Sequence, residues 1–195
     1  MALSYDKVIS KTLCGEKLRY GIVYGNEKIV FIKTGAGGTV KGHRDKYLQI
    51  AHRLHARIGA TVICASNPWI DAKIHLEADK EMIASVAAER HYALYLLGAS
   101  DGAYHNLLLA QQLKQTTRYL GINPSLVDFA DFVKQLQANP QVDKLLVYGT
   151  KDESYPYVPQ LKELACENLE ILTVAGADHT FKNMLETYIS LADLL

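Results

Sequence analysis

The run Tyr92-Ala93-Leu94-Tyr95-Leu96-Leu97 passes directly into Gly98-Ala99-Ser100-Asp101-Gly102, and the reading of the whole chain turns on that junction. The apolar run has the length and character of a buried strand. The five residues after it form a G-x-S-x-G pattern. A strand entering this pattern raises the serine hydroxyl on a sharp turn above the edge of a sheet, with a helix starting behind it. The glycines fit because such a turn brings backbone and neighbouring elements too close for a Cβ. In a chain of this size chance supplies the pattern on the order of a few per cent of the time, given average glycine usage. Its weight therefore depends on what stands around it.

Upstream, Leu18 to Tyr24 and Lys28 to Ile32 read as two strands joined at Gly25-Asn26, a pair that suits a turn, and this opening pair is expected to add an antiparallel edge. After the glycine-rich Thr34 to Gly42, the spacing of Leu48, Ala51, Leu54 and Ile58 predicts a helix over about Asp45 to Ile58, ended by Gly59. Ala60 to Ala65 is a short strand and Ile74 to about Glu89 a second helix. Downstream, a helix is expected from Gly102 to about Gln115, then a strand at Thr117 to Ile122 stopped by Asn123-Pro124. Ser125 is read as the cap of the next helix, which runs to about Gln137. Lys144 to Tyr148 and Leu169 to Val174 are the last strands, separated by a short helix at Tyr157 to Leu164. Phe181, Leu185, Tyr188 and Leu191 share one face of a C-terminal helix. Strands alternating with helices of this length imply βαβ units and right-handed crossovers. The expected fold is α/β: a three-layer α/β/α sandwich around a mostly parallel sheet, in which ligands bind beyond the carboxyl ends of the strands.

Composition sets the bounds. The 195 residues fit a single domain, 1–195, with 49% hydrophobic and 22% charged residues, an ordinary globular balance. A formal net charge of zero gives no basic surface for nucleic acid or an anionic membrane. Met1 to Lys17 carries charges throughout and does not read as a signal peptide. Cys14, Cys64 and Cys166 are far apart and lack a C-x-x-C spacing, which suits reduced thiols in the cytoplasm. Cys64, inside a strand, reads as a small core residue.

A serine hydroxyl is a poor nucleophile until a base removes its proton and a third group orients that base. Asp152, in Gly149-Thr150-Lys151-Asp152, follows the strand Lys144 to Tyr148. His179, in Gly176-Ala177-Asp178-His179, follows the strand Leu169 to Val174. Ser100, Asp152 and His179 thus each follow a different strand of one parallel sheet, in the chain order that accompanies such a serine turn. Backbone amides must also meet the oxygen that turns negative, each worth ~2.7–4 kcal/mol of barrier. Thr34-Gly35-Ala36-Gly37-Gly38 follows an earlier strand and offers Ala36, with Gly37 as the alternative; the amide of Asp101 is the second expected donor.

In these motifs, from residue 18 to residue 195, the chain resembles the α/β-hydrolase fold family. The resemblance implies a Ser-His-Asp hydrolase acting on an ester, thioester or amide through an acyl-enzyme, with a small-molecule acyl substrate and neither metal nor organic cofactor. Two departures stand out. Many relatives begin the oxyanion loop with His-Gly, whereas here it is Thr34-Gly35. Residues 123–142 hold about one helix, which leaves no room for the cap that covers many of the family's active sites.

Other residues have competing readings. Glu153 and Asp128 are weaker candidates than Asp152 for the acid, and Asn123 cannot supply the charge. Asp178 is expected to make local turn bonds. Asp101 either points to solvent, caps its helix, or places a carboxylate that filters substrates by charge. Trp69, in Pro68-Trp69-Ile70, either walls the substrate pocket or packs on the core. His52 and His55 lack a matching ligand cluster and read as surface histidines; His43, His75, His91 and His105 carry no spacing signal. A dinucleotide-binding domain would explain Gly35-Ala36-Gly37-Gly38, but Ala65-Ser66-Asn67 lacks the ribose-holding acid. A catalytically silent binding module of the same fold is the other alternative.

Overall fold

In the computed structural model, which describes residues 3–88 and 90–195, the strands assemble into one eight-stranded sheet. Met1, Ala2 and Glu89 lie outside the described residues, and with them the expected end of the second helix. The strands are β1 (Lys7–Leu13), β2 (Glu16–Val23), β3 (Asn26–Lys33), β4 (Ala60–Ala65), β5 (Ala93–Ala99), β6 (Thr116–Ile122), β7 (Asp143–Gly149) and β8 (Leu169–Val174). The helices are α1 (Lys46–Ile58), α2 (Ala72–Ala87), α3 (Asp101–Gln112), α4 (Phe129–Gln137), α5 (Val158–Lys162) and α6 (Leu185–Ser190). Spatial order is β1-β2-β4-β3-β5-β6-β7-β8, parallel from β4 to β8.

Alternation along β3 explains the layering. Ile29 and Phe31 face a core built with Leu76 and Met82 of α2, Leu107 of α3 and Phe132 of α4. Val30 and Ile32 face the opposite core, built with Ile50 and Leu54 of α1 and Ile189 of α6. Covered on both faces, the central strands need a continuous apolar sequence, and β4, Ala60–Ala65, is buried at every position.

That burial corrects the expected hairpin. β2 and β3 do not pair, because β4 lies between them, antiparallel to β2 and parallel to β3. The Gly25 step crosses so close to β4 that an added Cβ would sit 2.2 Å from the Gly59 carbonyl oxygen. An antiparallel edge does exist, but β1 and β2 form it across Cys14 and Gly15, at φ 51° and 82°. β1 is charged and only half-buried, so its apolar signal is weak.

Local ends differ as well. Asp128, not Ser125, caps α4, its carboxylate accepting from the Asp131 amide at 2.9 Å. Asp71 caps α2 and starts it earlier than expected. Phe181 lies before α6 at φ 56°, with its ring packed edge-on against Tyr188. The β6–β7 connection carries α4 as its helix and has no inserted cap. Among the described residues, no helix is long and apolar enough to cross a membrane.

Candidate active site

β5 delivers Ser100 to the carboxyl edge of the sheet in a conformation few non-glycine residues adopt, φ 54° and ψ −125°. Such a residue costs about 1–3 kcal/mol, so its surroundings must hold it there. The Ser100 amide donates to the Ile122 carbonyl at 2.9 Å, and its carbonyl accepts from the Ala103 amide at 3.0 Å. Both pattern glycines are required by close approach. A Cβ on Gly98 would lie 2.4 Å from Ala103 Cα, and one on Gly102 would lie 2.3 Å from the Thr34 carbonyl oxygen. The serine turn is therefore wedged between its own helix and the root of the glycine loop.

His179 reaches the serine from the β8 loop. Ser100 Oγ donates to His179 Nε2 at 2.9 Å, and His179 Nδ1–H donates to Asp152 Oδ2 at 2.6 Å. The Asp152 side chain is fully buried at the end of β7, and its other oxygen accepts from the Ser154 amide at 2.8 Å. The bond to Asp152 holds the His179 imidazole above its ordinary pKa of 6.5, against the opposing effect of its partial burial. A neutral imidazole carrying its proton on Nδ1 presents a bare Nε2 to the serine, the arrangement a general base needs.

Asn123 joins the two loops. Its Nδ2 donates to the carbonyls of Asp178 and His179, both at 3.1 Å, and its Oδ1 accepts from the Gly149 amide at 2.8 Å. In the sequence this residue stands only as a failed acid; an asparagine at a strand end carries no signal of such a role. Glu153 and Asp128 are exposed. Asp178 makes local turn bonds to the amides of Thr180 and Lys182.

The glycine loop runs beside the serine: a Cβ on Gly35 would lie 3.3 Å from Ser100 Cβ. Among the described residues, neither the Ala36 nor the Asp101 amide is taken up by another hydrogen bond. Gly37 is different. Its amide donates to the Asn67 carbonyl at 2.7 Å, which removes it as the alternative oxyanion donor. The Gly38 amide is likewise bonded, to the Gly35 carbonyl at 2.8 Å, so two amides that a phosphate would need are occupied. Asp101 is exposed, as one reading had it, and does not cap α3; its carboxylate also accepts from Asn67 Nδ2 at 3.0 Å. Trp69 is 78% exposed, so it does not pack on the core. Its indole nitrogen stands beside the loop, 3.8 Å from where a Gly37 Cβ would be.

His52 and His55 each meet a backbone carbonyl, of Ser4 and Ala60. Among the described residues, no group of three or more His, Cys, Asp or Glu side chains is arranged to hold a metal ion.

No protein-family model matches the chain, and neither does any curated protein. Solved structures do match it over nearly its whole length. Est1E from Butyrivibrio proteoclasticus is similar with a TM-score of 0.74 at 14% identity, covering 96% of each chain. An alpha-beta serine hydrolase homologue from Coxiella burnetii reaches a TM-score of 0.73 at 18% identity over 98% of each chain. An α/β serine hydrolase without lid from Xanthomonas campestris reaches 0.70 at 19% identity, over 97% of this chain and 93% of its own. At such identities the backbone path is what is shared. With its sheet order, its serine turn and its uncapped β6–β7 connection, the chain has the α/β-hydrolase fold.

Proposed function

We propose that this protein is a serine hydrolase that cleaves a small carboxylic ester through an acyl-enzyme. Ser100 is the nucleophile, His179 the general base and acid, and Asp152 the group that orients the imidazole. The observation that carries this reading is the unbroken hydrogen-bonded line from Ser100 through His179 to a buried Asp152.

In acylation, Ser100 Oγ bonds to the substrate carbonyl carbon while its proton passes to His179 Nε2. The carbonyl oxygen turns negative and meets the amides of Ala36 and Asp101. When the tetrahedral species collapses, the bond to the leaving alcohol breaks and His179 returns the proton to that oxygen. Water repeats the route and releases the carboxylic acid and free Ser100. Asp152 keeps the Nδ1 proton in place and stabilises the imidazolium that forms. A thioester or an amide would follow the same steps.

Without a cap, the substrate meets an open site flanked by the exposed Trp69 ring. The Asp101 carboxylate beside the nucleophile disfavours an anionic substrate. Asp101→Asn is expected to raise the rate on anionic esters relative to neutral ones; unchanged relative rates would remove the charge filter. Labelling with a fluorophosphonate tests the reading as a whole. The wild type is expected to label, and Ser100→Ala and His179→Ala are not. A folded wild type that fails to label would leave a binding module of this fold instead.

A further inference from the structure

Beneath the open site lies a sealed cluster of charge that the proposed mechanism does not use. The Lys33 and Asp79 side chains are fully buried and paired at 2.8 Å. The second donor to Asp79 Oδ2 is His105 Nε2, also at 2.8 Å, and Oδ1 accepts from the Tyr20 hydroxyl at 2.8 Å. Lys33 Nζ further donates to His75 Nε2 and, at 3.1 Å, to the Ser66 carbonyl. Burial alone would raise the Asp79 carboxyl; the Lys33 charge and the His105 bond overcome it and hold the group ionised, well below its ordinary range. Apolar residues of similar volume would serve stability as well as such a cluster. Its value lies in what it fixes.

Three of its members, Lys33, Ser66 and His105, adjoin site elements. Lys33 ends β3 and precedes Thr34, the root of the glycine loop. Ser66 precedes Asn67, and His105 lies on α3, the helix that begins just after Ser100. Asn67 completes the connection. Its Nδ2 donates to the Thr34 carbonyl at 3.1 Å and to Asp101 Oδ2 at 3.0 Å. Its backbone amide donates to the Gly38 carbonyl at 3.0 Å, and its carbonyl accepts from the Gly37 amide at 2.7 Å. The contacts close a ring: from His105 on α3 to Asp79, to Lys33, through Ser66 and Asn67, to Asp101 back on α3. The Ala36 loop is bound into that ring and Asp101 is its last member.

The loop needs such a fastening. Gly35, Ala36, Gly37 and Gly38 have almost no side chain to pack, and the buried Thr34 hydroxyl has no hydrogen-bond partner among the described residues. Amide donors stabilise an oxyanion only when they are held in place before charge develops. We propose that Asn67, anchored through Lys33, is the positioning residue of the oxyanion site, holding the Ala36 and Asp101 amides at a fixed separation. This rests on the serine-hydrolase reading.

Turnover of p-nitrophenyl butyrate and inhibition by a trifluoromethyl ketone, both per fluorophosphonate-titrated active site, test it. Asn67→Ala is expected to lower kcat by about 10- to 100-fold, the scale of a misplacement near 1 Å, with KM within about twofold. Affinity for the ketone, whose adduct carries an oxyanion, should fall by the same factor. The pH midpoint set by His179 should not move. Asn67→Asp, which turns the donor into a carboxylate facing Asp101, should be at least as impaired. Adding Asp101→Asn restores a donor–acceptor pair and should recover part of the loss. A folded Lys33→Met/Asp79→Leu/His105→Leu variant is expected to lose about tenfold in kcat and in ketone affinity while keeping its unfolding midpoint. Full kcat in Asn67→Ala, or a loss of kcat with undiminished ketone affinity, would overturn the proposal. Full kcat in the triple variant would overturn the anchoring by Lys33. A wild type that neither labels nor turns over would instead defeat the hydrolase reading, and this inference with it.

Discussion

Two histidine–aspartate pairs occupy one molecule, and they differ in nearly everything but distance. His179 and Asp152 meet at 2.6 Å on the open edge of the sheet; His105 and Asp79 meet at 2.8 Å beneath it. Both carboxylates are fully buried, but the imidazole side chains are 39% and 8% exposed. His179 is raised above 6.5, chiefly by its bond to Asp152, whereas His105 is lowered, chiefly by burial. Asp79 is also shared with Lys33, whose charge opposes a proton on His105. A carboxylate thus prepares an imidazole for proton transfer when it has no other cation, and when the ring keeps a wet face with a hydroxyl in reach. With a lysine beside it and the ring buried, the same pair becomes an anchor.

The comparison breaks most visibly in turnover. Removing Ser100 or His179 as Ala should cost on the order of 10⁴- to 10⁶-fold in kcat on a short-chain p-nitrophenyl ester. His105→Ala should cost far less, since that ring touches no reacting atom. Comparable losses at both histidines would erase the distinction. Asp152→Asn is expected next, at about 10⁴-fold in kcat, because an amide favours the wrong tautomer of His179.

In stability the ranking reverses. Asp79→Ala leaves a buried ammonium without its partner, a loss of about 3–5 kcal/mol by urea unfolding. Asp152→Ala should cost less, because the partly exposed His179 can turn to water.

The smallest effects are in pH. His179 must be neutral to act as base, so kcat/KM should rise through an ionisation above 6.5. Its pair with Asp152 contributes stability that is full below 6.5 and lost as pH rises through the raised value. His75 and His105 have the opposite sign. Burial and the Lys33 charge lower His75 to about 4, so its contribution is present above 6.5 and lost as pH falls toward 4. The melting temperature should therefore decline on acidification in His179→Ala as in wild type, and a flat profile would remove the buried histidines from the account.

The candidate catalytic residues were legible for a local reason. Ser100, Asp152 and His179 each follow an apolar strand, and parallel strands bring their carboxyl ends to one edge whatever lies between them. The strand–helix alternation was legible through periodicity. What misled was pairing: Gly25-Asn26 permits a hairpin, yet the wholly buried β4 needed a partner on both sides and took the place between β2 and β3. Lys33 and His105 gave no signal, since a lysine ending a strand and a histidine in a helix ordinarily face water. Asn67 showed only as the end of a strand without an acid and Asn123 only as a residue unable to supply the charge, because what they join is distant in sequence.

By itself, then, the sequence determined the layer architecture, the serine turn and the order of the three candidate residues, all of which come from periodicity and from glycines that backbone contact demands. Only the tertiary structure decided which amides remain free, that Gly37 is not one of them, and that Asn67 and Asn123 hydrogen-bond across the loops of the candidate site. Hydrogen bonds between distant segments depend on where chain ends converge, and convergence is set by packing rather than by any local pattern.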